Sequence, residues 1–310
     1  MPRDERHDAL ILGGGIAGLT AALWLREFGL GALILEESSQ PGGQLHEIHA
    51  PILDYPLGYG MDGPRFAARA LEDAWRAGLS ILVGGAVTRV SARLRSAWRG
   101  KERFRAQALV IATGLRRRAL GVPGERELMG RGVSHSANRD RAQFLGRPVV
   151  VVGGGTAAVE DALLCAEVGS DVTLLHRSTR FRARSDFLER ARKEARIRIV
   201  PNARVTKIVG KDRVEEVRYR LKGSGATRAV TAEAVFVRIG WDPRTELVRG
   251  QVRMDREGYV RVKIGGATSV RGVFAAGDVC SPDWPSIANA AGQGAVAAWE
   301  IARMLGRVRA

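Results

Sequence analysis

Two glycine-rich loops carry the residue types and spacings most able to do chemistry. Residues 13–18 read GGGIAG, directly after an apolar run and before an Ala- and Leu-rich stretch. The glycines at 13, 15 and 18 fit a strand–turn–helix unit in which Gly13 makes the tight turn, Gly15 admits a pyrophosphate and Gly18 lets helix and strand pack closely. The N–H groups at the start of the helix attract the phosphates. The spacing therefore predicts a dinucleotide site.

The same arrangement returns 140 residues later. Residues 148–152 form an apolar run, and residues 153–158 read GGGTAA, which is G-x-G-x-x-A at Gly153, Gly155 and Ala158. A helix is expected over about 156–168, and a strand over 171–175. One such loop is weak evidence, but two in the same strand–loop–helix context predict two dinucleotide sites.

The residues that end the second strand of each unit carry opposite charge. The first unit has Glu36 and Glu37 there, and the second has His176 and Arg177 at the matching positions, followed by STRFRAR at 178–184. A carboxylate accepts hydrogen bonds from a ribose 2′-hydroxyl and repels a 2′-phosphate, whereas basic side chains do the reverse. We therefore predict FAD or NAD in the first unit and NADPH in the second, which together imply hydride transfer from NADPH to a flavin.

Four further segments point to a family. These are GGQL at 42–45, ATG at 112–114, HRSTRFRA at 176–183 and GVFAAGDV at 272–279. With the glycine loops they resemble, over essentially the whole chain, the low-molecular-weight thioredoxin reductase family of pyridine nucleotide-disulphide flavoproteins. The resemblance implies an α/β fold of two Rossmann-like dinucleotide-binding domains of the three-layer ββα type. It places an NAD(P)H-binding domain at 115–243, inserted in a discontinuous FAD-binding domain of residues 1–114 and 244–310.

The resemblance also assigns roles to residues. It implies that Asp278 binds ribityl hydroxyls, that Asp54 lies near the flavin ring, and that the helix opening at 286–288 directs its positive end at the flavin N1–C2 edge. FAD and NADPH are the implied cofactors, with no metal and no catalytic side chain assigned. The candidate cofactor-binding residues are Gly13, Gly15, Ile16, Ala17, Gly18, Glu36, Glu37, Gly43, Gln44, Leu45, Asp54, Val87, Ala112, Thr113, Gly114, Gly277, Asp278, Ser286, Ile287 and Ala288 for FAD, and Gly153, Gly155, Thr156, Ala157, Ala158, His176, Arg177 and Arg182 for NADPH.

The chain departs from the family where the redox dithiol belongs. The family has a CATCDG-type segment there, but residues 133–141 read VSHSANRDR, with Ser136 and Arg139 in place of the two cysteines. Neither side chain can form or attack a disulfide. The chain has only two cysteines, Cys165 and Cys280, which are far apart and are expected to be packed thiols, not a disulfide or zinc framework. Ser178 also replaces an arginine of the family's phosphate clamp.

Three functions are compatible with these observations. The first is a thioredoxin-reductase-like oxidoreductase that passes electrons from NADPH through FAD to an acceptor other than an internal dithiol, such as a quinone, a nitro compound, dioxygen, a metal complex or a protein. The second is a ferredoxin- or flavodoxin-NADP reductase of the thioredoxin-reductase-like type. The third is a flavin- or nucleotide-binding redox sensor without enzymatic activity.

Composition limits the partners. The chain has 310 residues, 45% of them apolar, and a formal charge of +16 carried mostly by arginine. Such a charge would favour an acidic partner such as ferredoxin, but charge alone, without a nucleic-acid-binding motif, does not predict specific nucleic-acid binding. No apolar run reaches the ~20 residues that a membrane span needs. We expect a cytoplasmic protein without a signal peptide, and the resemblance implies a homodimer.

Overall fold

The computed structural model describes residues 4–308, which divide into two compact units. One comprises residues 4–116 and 242–308, and the other residues 117–241. Each unit has a parallel sheet, helices packed on it, and a small antiparallel meander. No helix within residues 4–308 has the length and apolar character needed to cross a bilayer.

The first unit is built around strand β1, whose residues Ala9, Leu10 and Ile11 are fully buried. Such continuous apolar runs are typical of parallel strands covered on both faces. The sheet order is β3-β2-β1-β6-β5-β4, and β17 pairs with the carboxyl-terminal half of β6. The strands are β1 (Asp4–Leu12), β2 (Ala32–Leu35), β3 (Ser80–Leu82), β4 (Arg89–Ser91), β5 (Ser96–Arg99), β6 (Glu102–Ile111) and β17 (Val273–Ala275). Two short strands, β7 (Leu115–Arg117) and β16 (Trp241–Pro243), each contain a boundary between the two units.

Three helices complete this unit: α1 (Ile16–Glu27), α2 (Gly63–Arg76) and α6 (Ile287–Met304). Helices α1 and α6 cross closely, because a Cβ at Gly294 of α6 would collide with the carbonyl oxygen of Ala17 of α1. Their alanines pack together into one core cluster with Ile11 and Ile34 of the sheet. This contact brings the amino-terminal part of α6 to the first glycine loop.

The second unit repeats the plan, with sheet order β11-β10-β9-β15-β8 and a separate meander β12-β13-β14. Its central strand β9 reads VVVVG and is wholly buried. The elements are β8 (Val133–Ser134), α3 (Ala137–Asp140), β9 (Val149–Gly153), α4 (Thr156–Glu167), β10 (Val172–Leu175), α5 (Ser185–Lys193), β11 (Ile197–Val200), β12 (Ala203–Val209), β13 (Glu216–Leu221), β14 (Thr227–Thr231) and β15 (Ala234–Arg238).

A buried carboxylate joins three elements of this unit. Asp161 on α4 is 1% exposed, accepts the N–H of Ala137 at 3.2 Å, and lies 3.1 Å from Nε of Arg238 at the end of β15. Arg238 also donates to the carbonyl oxygen of His135 at 2.8 Å. Loss of solvation raises the pKa of Asp161 to about 6, although Arg238 opposes the rise.

This buried group predicts a pH dependence of stability. A carboxyl group whose pKa is raised in the folded chain adds to the free energy of unfolding, and this addition is fully present below the pKa that the group has in the unfolded chain. The addition is lost as the pH rises through about 6. Between pH ~4 and ~7 we expect the wild-type free energy of unfolding to fall by about 2 kcal/mol relative to Asp161→Asn, measured by denaturant unfolding of the holoprotein. Parallel pH profiles for the two proteins would contradict the assignment.

Candidate cofactor sites

The first glycine loop is closed on one side and open on the other. A Cβ at Gly13, whose φ is +105°, would collide with the carbonyl oxygen of Ala112, and a Cβ at Gly18 with the carbonyl oxygen of Gly13. Gly15, the N-cap of α1, has no atom within 4 Å of its Cβ position. The loop therefore leaves space directly before a helix N-terminus, where a pyrophosphate could sit.

The two glutamates after β2 have different roles. Glu36 is buried and accepts two backbone N–H groups, from Gly14 at 2.6 Å and from Ser38 at 2.8 Å. These bonds hold its carboxylate at the loop, where its remaining lone pairs could accept ribose hydroxyls. Glu37 instead pairs with Arg244 at 2.7 Å on the surface of the unit. Only Glu36 is brought to the glycine loop.

The hydrogen bonds and burial of the Asp278 carboxylate indicate which kind of ligand fits beside it. Gln44 Nε2 donates to its Oδ2 at 2.8 Å, while Oδ1 is buried without a hydrogen-bond partner in the described part of the chain. Burial raises the pKa of this carboxyl group. A buried acceptor without a donor is costly, so the site favours a ligand that carries hydroxyl groups, such as the ribityl chain of FAD.

Helix α6 holds the segment that carries Asp278. Gln293 accepts the N–H of Gly277 at 2.8 Å and donates to Ser281 Oγ at 2.6 Å. Asn289, one turn earlier, donates to the same oxygen at 3.1 Å. The sequence prediction missed this network, although two amides four residues apart in an Ala- and Gly-rich helix were a usable signal.

The amino-terminal end of α6 begins where the resemblance expects it. Ser286 is the N-cap, and its hydroxyl accepts the N–H of Asn289 at 3.2 Å. Ile287 and Ala288 form the first turn of an 18-residue helix. Their N–H groups and the helix dipole could stabilise negative charge on a bound ring.

The remaining candidates of the first unit lie in several places. Leu45 is buried in the 3-10 turn at Gly43–Glu47, and a Cβ at Gly43 would lie 3.4 Å from Gly15 Cα. Thr113 donates to the carbonyl oxygen of Arg244 at 2.6 Å, and the carbonyl of Gly114 accepts the Arg244 N–H. Two candidate residues have other surroundings. Asp54 is solvent-exposed, and Val87 packs against the core cluster that contains Val90.

The second glycine loop has the same geometry. A Cβ at Gly153 would collide with the carbonyl oxygen of Arg238, and Ala158 is fully buried beside it. Gly155, the N-cap of α4, again has open space at its Cβ position. Thr156 and Ala157 follow in the first turn, and Thr156 Oγ1 accepts the N–H of Arg184 at 3.1 Å.

A histidine takes the place that Glu36 has in the first unit. The His176 ring lies against Gly154 and packs on Phe181 with centroids 4.6 Å apart, and its Nε2 donates to the carbonyl oxygen of Arg180 at 3.1 Å. The exposed side chains of Arg177 and Arg182 form no hydrogen bond or ion pair with another described side chain of residues 6–308. They could therefore bind a 2′-phosphate.

The segment that replaces the dithiol forms a polar network. Ser136 caps α3, and Arg139 binds Asp140 through two bonds of 2.8 and 2.9 Å. Asp140 also accepts from Ser134 Oγ at 2.6 Å. Cys165 in this unit is 1% exposed, and burial raises its pKa to about 12. Burial raises the pKa of Cys280, in the other unit, to about 12 as well, so neither thiol is a thiolate at neutral pH.

Two Rossmann-like units, each with an open glycine loop, define a flavoprotein that uses a pyridine nucleotide. The family model described as "Pyridine nucleotide-disulphide oxidoreductase" matches residues 7–294. A thioredoxin reductase of Mycolicibacterium smegmatis is 40% identical over 303 residues, with 96% of each chain covered. The chain belongs to this family and to its low-molecular-weight thioredoxin-reductase-like branch, which confirms the resemblance, the fold class and the use of FAD and NADPH.

Solved structures agree with this assignment. The thioredoxin reductase of Lactococcus lactis superposes with a TM-score of 0.82 at 32% identity, covering 97% of this chain and 100% of that one. The enzyme of T. acidophilum gives a TM-score of 0.80 at 29% identity, covering 97% and 99%. The chain is therefore similar to these reductases along nearly its whole length.

The open positions at the two N-caps allow a matched pair of variants. Gly15→Val and Gly155→Val each place a side chain in open space, so both proteins should fold. We expect Gly15→Val to lose FAD and Gly155→Val to keep FAD but weaken NADPH binding by ~100-fold, because each side chain fills one pyrophosphate position. Flavin content and NADPH titration measure the two effects. Equal effects of both variants on FAD would contradict the assignment of the loops.

The α6 network predicts a positioning effect. Gln293→Leu removes the acceptor of the Gly277 N–H and one donor to Ser281, so Asp278 loses its fixed position. We expect FAD affinity to fall by ~10- to 100-fold and the visible flavin spectrum to shift. The control is Gln251→Leu, which removes an amide that bonds to the carbonyl oxygen of Val90 instead. A similar loss of FAD in the control would show that the effect of Gln293→Leu comes from a general loss of stability.

Proposed function

We propose that the protein is an NADPH-dependent flavoprotein oxidoreductase whose electrons leave to an acceptor other than an internal dithiol. The observation that carries the proposal is the pair Ser136 and Arg139 at the positions of the redox cysteines. Cys165 and Cys280 do not replace them, because they belong to different units and both are neutral thiols. The family's usual relay through a disulfide therefore has no chemical basis here.

The chain's own residues have binding and positioning roles in this proposal. Bound FAD would supply a centre that accepts hydride from NADPH. The N-terminus of α1 and Gly15 would hold the FAD pyrophosphate, Glu36 the ribose, and Asp278 the ribityl hydroxyls. The N-terminus of α4, Arg177 and Arg182 would hold NADPH by its phosphates.

The acceptor can be tested in two steps. Anaerobic mixing with NADPH should bleach the visible absorbance of the bound flavin, and a protein that stays oxidised would instead be a sensor. A screen with a quinone, dioxygen, a ferredoxin and a thioredoxin should then show reoxidation by acceptors that need no dithiol and no NADPH-dependent reduction of thioredoxin.

A cysteine-free variant is the control. Cys165→Ala combined with Cys280→Ser should keep the rate of NADPH oxidation within about twofold, because no step uses a thiol. Loss of acceptor reduction in this variant, with flavin bleaching intact, would contradict the proposal. The homodimer and the cytoplasmic location stay predictions.

A further inference from the structure

Basic side chains are concentrated on one small surface of the first unit. Strands β4, β5 and the start of β6 form an antiparallel meander, residues 88–105, which we call the basic meander. Its eighteen residues contain a single acidic side chain, Glu102. Its basic residues are Arg89, Arg93, Arg95, Arg99, Lys101, Arg103 and Arg105.

A tryptophan fixes two of these arginines. The strand register puts Arg89, Trp98 and Arg103 side by side across the three strands. The Cζ atoms of Arg89 and Arg103 lie 3.9 and 5.0 Å from the centroid of the Trp98 ring. Their strands flank β5, so both guanidiniums lie against this one ring. Stacking of this kind restrains them, so less side-chain entropy is lost when they bind an anion.

Several charges of the meander have no carboxylate partner among the described side chains. Arg89, Arg93, Lys101 and Arg103 form no ion pair with a carboxylate of residues 6–308, whereas Arg244 of the same unit pairs with Glu37. In addition, Nε of Arg103 is buried without an acceptor, as is Nε of Arg95. Donors that have lost water without gaining a partner favour a bound acceptor.

The surface suits a protein better than a nucleic acid. Two guanidiniums already pack on the Trp98 ring, so a base that stacked there would compete with them. Leu94, at the turn between β4 and β5, is 53% exposed between Arg93 and Arg95. An exposed apolar side chain among arginines is typical of protein interfaces, whereas phosphates offer it no partner.

We propose that the basic meander is a docking surface for an acidic protein that presents carboxylates on a helix. The Cζ atoms of Arg89 and Arg103 are at most about 9 Å apart, because they lie 3.9 and 5.0 Å from the same ring centroid. Carboxylates four and seven residues apart on a helix are separated by about 6 and 10.5 Å along its axis, so flexible glutamate side chains at these spacings can reach both guanidiniums. Each guanidinium can then bind one carboxylate through two hydrogen bonds. The proposal does not depend on the electron acceptor.

The test uses the intact holoprotein and a defined probe. The probe is a fluorescent helical peptide with glutamates at positions i, i+3, i+4 and i+7, together with a glutamine version and a single-stranded oligonucleotide of equal charge. Binding is measured by anisotropy at ~50 and ~200 mM salt. The double variant Arg89→Glu with Arg103→Glu is compared with Arg256→Glu with Arg307→Glu, which changes the net charge equally at exposed positions outside the meander.

We expect the glutamate peptide to bind, the reversal at 89 and 103 to weaken it at least ~10-fold, and the control pair to change it less than ~2-fold. The milder pair Arg89→Lys with Arg103→Lys keeps the charge and should weaken binding ~3-fold through loss of the fork geometry. The proposal would be overturned if the two double variants to glutamate lost peptide affinity equally. It would also be overturned if the peptide did not bind, or if the oligonucleotide bound more tightly than the peptide. Flavin bleaching by NADPH is measured in parallel and should be unchanged in every variant.

Discussion

The structure depends on how closely backbone can approach backbone at the two glycine loops. At Gly13 and Gly153 the neighbouring strand's carbonyl oxygen occupies the place of a side chain. That contact sets each helix directly after its strand, with its first N–H groups at the carboxyl edge of the sheet. The open positions two residues later, at Gly15 and at Gly155, are where we expect the phosphates to bind.

The two glycine loops share one geometry but differ in the residues that lie beside them. In the first unit Glu36 is fixed by two backbone N–H groups and offers acceptors. In the second, the His176 ring covers the equivalent glycine, and two unpaired arginines lie close in sequence. We therefore expect a hydroxyl group beside Glu36 and a phosphate beside Arg177 and Arg182, because a carboxylate and guanidiniums carry opposite charge.

Residues 133–141, which contain the positions of the redox cysteines, form an ordered polar network. Ser134, Ser136, Arg139 and Asp140 bond to one another, and the helix they form is anchored to buried Asp161. Polar groups that are satisfied in this way hold the local structure of the segment.

The sequence alone predicted the two glycine loops, Glu36 and Arg177 near the ends of the second strands, and serine and arginine at the positions of the redox cysteines, because each depends on residue type at a fixed local spacing. It did not determine which glutamate reaches the loop, since Arg244, over two hundred residues away, engages Glu37. Nor did it reveal the contact between Gln44 and Asp278, 234 positions apart, that leaves one carboxylate oxygen buried and unpartnered. Such pairings are decided by tertiary packing, because contacts between residues distant in the chain leave no local pattern to read.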